Sequence, residues 1–387
     1  MGEWKEYKLS DIATEIGDGL HGTPKYSIDG NCYFINGNNI VNGKVIIKDD
    51  TKRISDIEFD LYKKPLFDRT VLLSINGTIG NVGLYNGEKC ILGKSVCYLN
   101  IKNSVDKRFI YYTFLSNSFQ THLRNIATGT TILNVPLKSL RETVILLPSL
   151  DEQKRIASIL SSLDDKIDLL YRENKTLEAM AEVLFNKTLS DKENNGTIEQ
   201  FVSIQNGYAF KSKDFQEHGI NGVIKIKNIS GGVIDINKTD CIGSNIIQGI
   251  SSKFKVHTGD ILIAMTGAEI GKLGIIPFTN KNLWLNQRVG MLVERYPGAK
   301  YIAYLQLKSD YGLDYVKNTA TGSAQPNISS SAIENCGFPL LDVSEIKVLA
   351  YQLEGLYEKI IHNLGHINGL KLLRSELLIK LMDSTNL

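Results

Sequence analysis

The chain has 387 residues, 42% of them hydrophobic and 22% charged, and a net charge of +2; that much apolar surface excludes disorder over most of its length, and the length suits two to three domains of roughly 100–200 residues each. No run of about 18 apolar residues is present, which excludes a membrane-spanning helix, and the start Met1-Gly-Glu-Trp-Lys-Glu lacks an apolar export segment. Five scattered cysteines (Cys32, Cys90, Cys97, Cys241, Cys336) with no C-x-x-C pair read as buried thiols in a reducing cytoplasm.

Residues 1–150 are rich in Gly, Asn and short β-branched runs. Val45-Ile-Ile47 and Thr70-Val-Leu-Leu-Ser-Ile75 predict strands, set off by the turn signals Asn42-Gly43 and Asn76-Gly77. A helix is predicted from Ile110 to Asn125. Ser149 with Glu152 three residues on predicts a capping box, and acids in the first turn suit the helix dipole. The helix so opened covers 151–193, with no Pro or Gly before Gly196. Apolar side chains recur at Ile156, Leu160, Leu163, Ile167, Leu170, Leu177, Ala181 and Leu184, with Asn174 in the one polar slot. Alternating steps of four and three predict a coiled-coil seam, and a polar residue in such a seam fixes register at some cost in stability. At 1.5 Å per residue, 151–189 would span roughly 58 Å. The plainer alternative is an amphipathic helix packed on a domain core.

Residues 194–341 return to the first pattern. Val223-Ile-Lys-Ile226 and Asp260-Ile-Leu-Ile-Ala-Met265 predict strands, Gly231-Gly232 a turn, and Tyr301 to Lys317 a helix. Residues 342–387 then repeat the seam at Leu349, Leu353, Leu356, Ile360, Asn363, Ile367, Leu370, Leu377 and Leu381. Arg374 stands at the counterpart of Ala181. Gly355, Gly365 and Gly369 each weaken a helix by roughly 1 kcal/mol, so this second helix needs a partner, and the first helix is the obvious one.

The two halves are copies of one unit. Asn76-Gly-Thr-Ile-Gly80-Asn-Val-Gly83 echoes Thr266-Gly-Ala-Glu-Ile-Gly271-Lys-Leu-Gly274, with Gly80 and Gly271 191 positions apart. Phe109-Ile-Tyr-Tyr matches Tyr301-Ile-Ala-Tyr at an offset of 192, Ala127-Thr-Gly-Thr130 matches Ala320-Thr-Gly-Ser323 at 193, and Leu147-Pro148 matches Phe338-Pro339 at 191. Four collinear matches at nearly one offset are a repeat. The charge is uneven as well. Residues 151–193 carry 10 acids against 7 bases and 342–387 carry 6 against 5, so the rest of the chain holds 32 bases against 26 acids. A basic remainder beside two acidic helices is compatible with nucleic-acid binding.

The chain resembles a specificity (S) subunit of a type I restriction–modification enzyme. The resemblance is carried by Trp4-Lys-Glu-Tyr-Lys-Leu-Ser-Asp-Ile12, by Leu147-Pro-Ser-Leu-Asp-Glu-Gln-Lys-Arg-Ile156 before the first helix, by Asn206-Gly-Tyr-Ala-Phe-Lys-Ser-Lys-Asp-Phe215 in the second unit, and by the paired glycine segments. It spans nearly the whole chain. It implies an α+β protein with two mixed, strand-rich target-recognition domains, 1–150 and 194–341, each reading half of a split double-stranded DNA site. It also implies two long helices, 151–193 and 342–387, packed as an antiparallel coiled coil about a pseudo-two-fold internal repeat and setting the half-site spacing. The resemblance further implies a phage-defence role in the cytoplasm. It gives the chain no catalysis and no cofactor of its own, and it implies recruitment of two modification (methyltransferase) subunits and of restriction subunits. S-adenosylmethionine, ATP and Mg are expected on those partners only. One departure is that the second junction, Phe338-Pro-Leu-Leu-Asp-Val-Ser-Glu-Ile346, lacks the Glu-Gln-Lys-Arg run.

Two heads on a spacer suit half-sites about one helical turn, roughly 34 Å, apart. Loop side chains with donors and acceptors are the candidates for DNA contact. In the first head these are Lys25, Tyr26, Asn36, Asn38, Asn39, Ser74, Asn76, Thr78, Lys94, Thr128, Thr130 and Thr131. In the second they are Lys211, Lys213, Lys225, Lys227, Asn228, Thr266, Lys272, Asn286, Gln287, Arg288, Thr321, Ser323 and Gln325. Arg288 suits guanine and Gln287 adenine, whereas the lysines suit phosphates and carry no sequence information. Any single Asn here serves equally well to close a turn.

Other chemistry is weakly supported. The glycines of the paired segments shape a turn, and no G-x-x-x-x-G-K-[ST] phosphate loop is present. His362 and His366 are spaced for a metal but have no third ligand cluster. Glu-x-Lys triplets such as Glu152-Gln-Lys154 and Glu345-Ile-Lys347 lie on helix surfaces rather than in a cleft that could gather a nuclease metal. No Asn-Pro-Pro-aromatic tetrapeptide of an amino-methyltransferase occurs. A recognition subunit for methylation alone, a nuclease and a protein scaffold are the rival readings.

Overall fold

The computed structural model describes residues 4–190, 192–322 and 325–383. It divides into two compact units, Met1–Lys166 with Lys371–Leu387, and Ile167–Leu370. Both long helices, Leu150–Leu189 and Val343–Leu378, cross that division.

In the first unit the strands Ala13–Asp18, Val96–Ile101, Thr70–Ser74 and Val82–Leu84 lie side by side in that order, all antiparallel. The predicted run from Thr70 is an inner strand, buried on both faces, which is why its middle, Val71-Leu-Leu73, is apolar rather than alternating. A second sheet pairs Cys32–Ile35 with Arg53–Ile54 (antiparallel) and with Cys90–Leu92 (parallel). Lys5–Lys8 pairs with Val144–Leu147 just before the long helix begins.

The second unit repeats this plan. Val202–Asn206, Val289–Glu294, Ile261–Ala264 and Leu273–Ile275 are adjacent and antiparallel. Asn221–Ile224 pairs antiparallel with Asp240–Ile242 and parallel with Asn282–Leu285. Gly196–Thr197 pairs with Gly337–Phe338 ahead of the second long helix.

Two single helices expected from sequence are each broken. Lys107–Leu115 and Asn117–Ile126 meet at Ser116, and Ala299–Lys308 and Asp310–Thr319 meet at Ser309. Both serines leave the helical region (ψ 150° and 159°), and their Oγ atoms accept from Phe119 N (3.3 Å) and Gly312 N (3.1 Å). A hydroxyl that caps a fresh helix offsets the interrupted ladder. Periodicity alone does not reveal such a corner.

Only half of the expected capping box forms. Glu152 N donates to Ser149 Oγ (3.4 Å), but the Glu152 carboxylate accepts from Arg155 at 2.6 and 2.7 Å.

Every predicted seam residue is buried or half-buried, and the helices run antiparallel, since Glu173 pairs with Lys359 and Ile167 and Leu170 pack with Ile367 and Leu370. Asn363 Nδ2 donates to Asn174 Oδ1 (2.8 Å), both residues being buried. The seam is not uniform, however. Ile156 and Leu160 belong to the core of the first head, together with Leu377. Leu177, Leu349, Leu353, Leu356 and Ile360 join the core of the second. Pure helix-on-helix packing is confined to the middle, so the coiled-coil reading and the docked-helix reading each describe part of the same helices. Gly365 also has a role beyond weakening the helix, because a Cβ there would stand 2.7 Å from Phe278 Cβ.

Candidate nucleic-acid interface

The two heads build the same loop framework from different residues. In the first, Leu20 N donates to Leu92 O (2.7 Å), Lys94 N to Leu20 O (2.9 Å), Val96 N to Gly93 O (3.0 Å) and Ile75 N to Ser95 O (2.9 Å). In the second, Tyr208 N donates to Leu285 O (2.8 Å), Gln287 N to Tyr208 O (2.9 Å), Val289 N to Asn286 O (2.9 Å) and Met265 N to Arg288 O (3.1 Å). The bonds match one for one. Lys94-Ser95 therefore occupies the position that Gln287-Arg288 holds in the other head, and Leu20 that of Tyr208.

A second loop adjoins this turn. Thr128 and Asn134 exchange backbone hydrogen bonds of 2.7 and 2.8 Å, and Thr321 and Asn327 do so at 2.9 and 2.8 Å. Each loop is tied to the glycine segment, by Gly77 N to Leu133 O (2.9 Å) and by Gly267 N to Pro326 O (2.8 Å). Gly77, Gly80, Gly267 and Gly271 all take left-handed φ of 75–91°, so the glycines do make the expected strand–loop–strand turn. In the first head Asp18, His21, Asn76, Lys94 and Asn134 line a cleft of about 410 Å³. His21 Nε2 lies 2.7 Å from Asp18 Oδ2, and Asn76 Nδ2 donates to Asn134 Oδ1 (3.1 Å).

The candidates sort by exposure. Lys25, Tyr26, Asn38, Thr78, Lys94, Thr128, Thr130 and Thr131 are exposed in the first head, as are Lys211, Lys213, Lys227, Lys272, Gln287, Arg288, Thr321 and Gln325 in the second. Asn36, Asn76, Lys225, Thr266 and Asn286 are half-buried, and Ser323 lies outside the described residues. Asn39, Ser74 and Asn228 are buried and spend their polar atoms on the loops. Asn39 accepts from Asn36 N and donates to Ile46 O and Thr51 Oγ1. Asn228 accepts from Lys225 N and donates to Asp235 O and Lys238 O. Ser74 Oγ accepts from Asn81 N. These three hold the framework and present no edge to a ligand.

Charge is also partly spent. Lys225 and Lys227 pair with Asp240 at 2.7 and 2.8 Å, which holds the Asp240 carboxyl below its usual range. Lys225 additionally sits 3.4 Å above the Phe215 ring. Lys272 is paired with Glu269. Among the described residues Lys94 and Arg288 have no carboxylate within ion-pair distance. Their charges remain available, and their backbones are pinned.

Sequence reasoning missed Asn134 and Asn327, which close the second loop, and Tyr208, a 38% exposed ring beside Gln287. The offset of 193 between Thr128-to-Asn134 and Thr321-to-Asn327 was the available signal.

The model of the type I restriction modification DNA specificity domain matches residues 1–179 and again 191–371. The chain belongs to that family. Among specificity-domain relatives, the type I restriction enzyme MjaVIII specificity subunit of Methanocaldococcus jannaschii is 29% identical over 315 residues, covering 75% of this chain and 72% of that one. The MjaIX specificity subunit of the same organism is 25% identical, covering 98% and 93%. A crystal structure of the type I restriction-modification system S subunit from M. genitalium superposes with a TM-score of 0.62 at 19% identity, over 98% of this chain and 96% of that one. That likeness shows the fold, two specificity domains with long helices.

Among the described residues no group of three or more His, Cys, Asp or Glu side chains is gathered as a metal site. His362 and His366 are exposed, their rings packed edge-to-face at 5.5 Å. All five cysteines are free and buried, and burial pushes the Cys90 and Cys336 thiols up to about 12. Among the described residues no helix is long and apolar enough to cross a membrane.

Proposed function

We infer that this chain is the DNA sequence-recognition subunit of a type I restriction–modification system and reads a bipartite, asymmetric site. The observation that carries the inference is the doubled loop framework, in which matching backbone bonds hold Lys94-Ser95 in one head and Gln287-Arg288 in the other. One scaffold with two side-chain sets suits two different half-sites. The reading modules are 1–150 and 194–341, and the helical segments 151–193 and 342–387 are the spacer.

The chain performs no bond-making step in this reading. It delivers a pair of modification subunits, and restriction subunits with them, to DNA in the cytoplasm. Met180, Val183, Val348 and Tyr351, all at least half exposed on the long helices, supply apolar surface for such partners.

Domain exchange tests the reading. With the modification subunits present, replacing 1–150 by the same segment of another specificity subunit changes one half of the selected site. Lengthening the first long helix by one heptad changes the spacer and neither half. An exchange that altered both halves or neither would refute the two-reader arrangement.

A further inference from the structure

The loop closed by Thr128 and Asn134 exposes an isoleucine, Ile132, where its counterpart closed by Thr321 and Asn327 exposes a glutamine, Gln325. The hydrogen bonds equate the two position by position. Gly77 N meets Leu133 O where Gly267 N meets Pro326 O, and the closing pairs stand 193 residues apart, so Ile132 and Gln325 hold the same place. Ile132 is 62% exposed and Gln325 is exposed. Both loops turn on a glycine at φ +96°, Gly129 and Gly322, and a Cβ there would stand 2.3 Å from Ile132 O and 2.9 Å from Gln325 O. Each carbonyl is thus turned in against its glycine, on a loop anchored at both ends.

A lone exposed isoleucine is ordinary on a protein surface. Its setting separates this one. The loop adjoins the cleft lined by Asn76, Asn134 and Lys94, and Thr130 and Thr131 beside it are exposed hydroxyl side chains. A pinned loop presents its tip with little ordering cost on binding. In the major groove the one apolar feature of a base pair is the thymine C5-methyl group, and an aliphatic side chain is its natural contact.

We propose that Ile132 is a specificity-determining residue that packs on a thymine methyl group in the half-site read by the first head. The proposal rests on the recognition function inferred above. It assigns the same position in the second head to Gln325, whose amide suits an adenine edge instead. The two heads then differ in the kind of contact made at one shared place, apolar in one and hydrogen-bonding in the other.

The test uses the chain assembled with its modification subunits and a duplex carrying the selected site, with each thymine replaced in turn by deoxyuracil. This removes only the methyl group and leaves pairing intact. The wild-type complex should lose roughly four-fold in affinity at one thymine of the first head's half-site, the worth of one buried methyl-sized group. Ile132→Ser should bind the thymine duplex that much more weakly and show no uracil effect at that thymine, and Ile132→Val should retain the effect. A wild-type complex indifferent to uracil throughout that half-site, or an Ile132→Ser complex that still discriminates, overturns the proposal and leaves the recognition function standing. A complex that selects no bipartite site at all overturns the recognition function and this proposal with it.

Discussion

Replacing Arg288 by Ala isolates one side chain from its framework. The Arg288 carbonyl accepts from Met265 N (3.1 Å), and its amide faces Asn286 Oδ1 (3.5 Å), so the backbone keeps its partners when the guanidinium goes. The side chain is exposed and forms no ion pair among the described residues. The loss therefore changes fold stability by less than about 0.5 kcal/mol. Affinity for the selected site should fall by about 1–3 kcal/mol, roughly 5- to 150-fold, if the guanidinium grips a guanine edge bidentately. Preference should relax at one base pair of the second half-site and nowhere else. Selection from randomised duplexes, followed by affinity measurement across a salt series, separates this from a phosphate contact. An affinity loss equal on all sequences, with the salt slope reduced by about 0.9, would refute base reading by Arg288.

Asp240→Asn should release Lys225 and Lys227, now paired at 2.7 and 2.8 Å, and steepen the salt dependence by up to about two phosphate equivalents; an unchanged slope would show that the lysines do not reach DNA. Asn363→Leu should cost about 1–3 kcal/mol in denaturant unfolding, because it strands Asn174, whose Nδ2 already has no hydrogen-bond partner among the described residues. The double change Asn174→Leu with Asn363→Leu should recover that loss, and failure to recover would mean the pair is not coupled. Gly355→Ala and Gly369→Ala meet nothing within 4 Å and should each stabilise the second long helix by up to about 1 kcal/mol, whereas Gly365→Ala collides with Phe278 and should destabilise; thermal unfolding distinguishes the signs.

The duplication, the strand-rich heads and the two apolar seams were legible in the residues alone, because each is a periodic or repeated pattern that local chemistry writes directly. Val71 to Leu73 is apolar without alternation because both faces of its strand are covered, and Asn174 and Asn363 stand out as polar breaks in the two seams. What covers each seam residue is a tertiary matter. Ile156 docks on the first head while Ile167 meets the other helix, although the spacing that selects them is the same. The serine corners at 116 and 309 depend on one hydroxyl capping a new helix, an effect without a period.

The candidate site divides the same way. Composition pointed to polar loops, yet it could not tell Asn39 and Asn228, whose amides are used up inside their loops, from Gln287 and Arg288, whose side chains have no partner among the described residues and sit on a pinned turn. Side-chain type sets which hydrogen bonds a residue is able to make. Only the folded backbone decides whether those bonds are already made within the protein or remain open to a ligand.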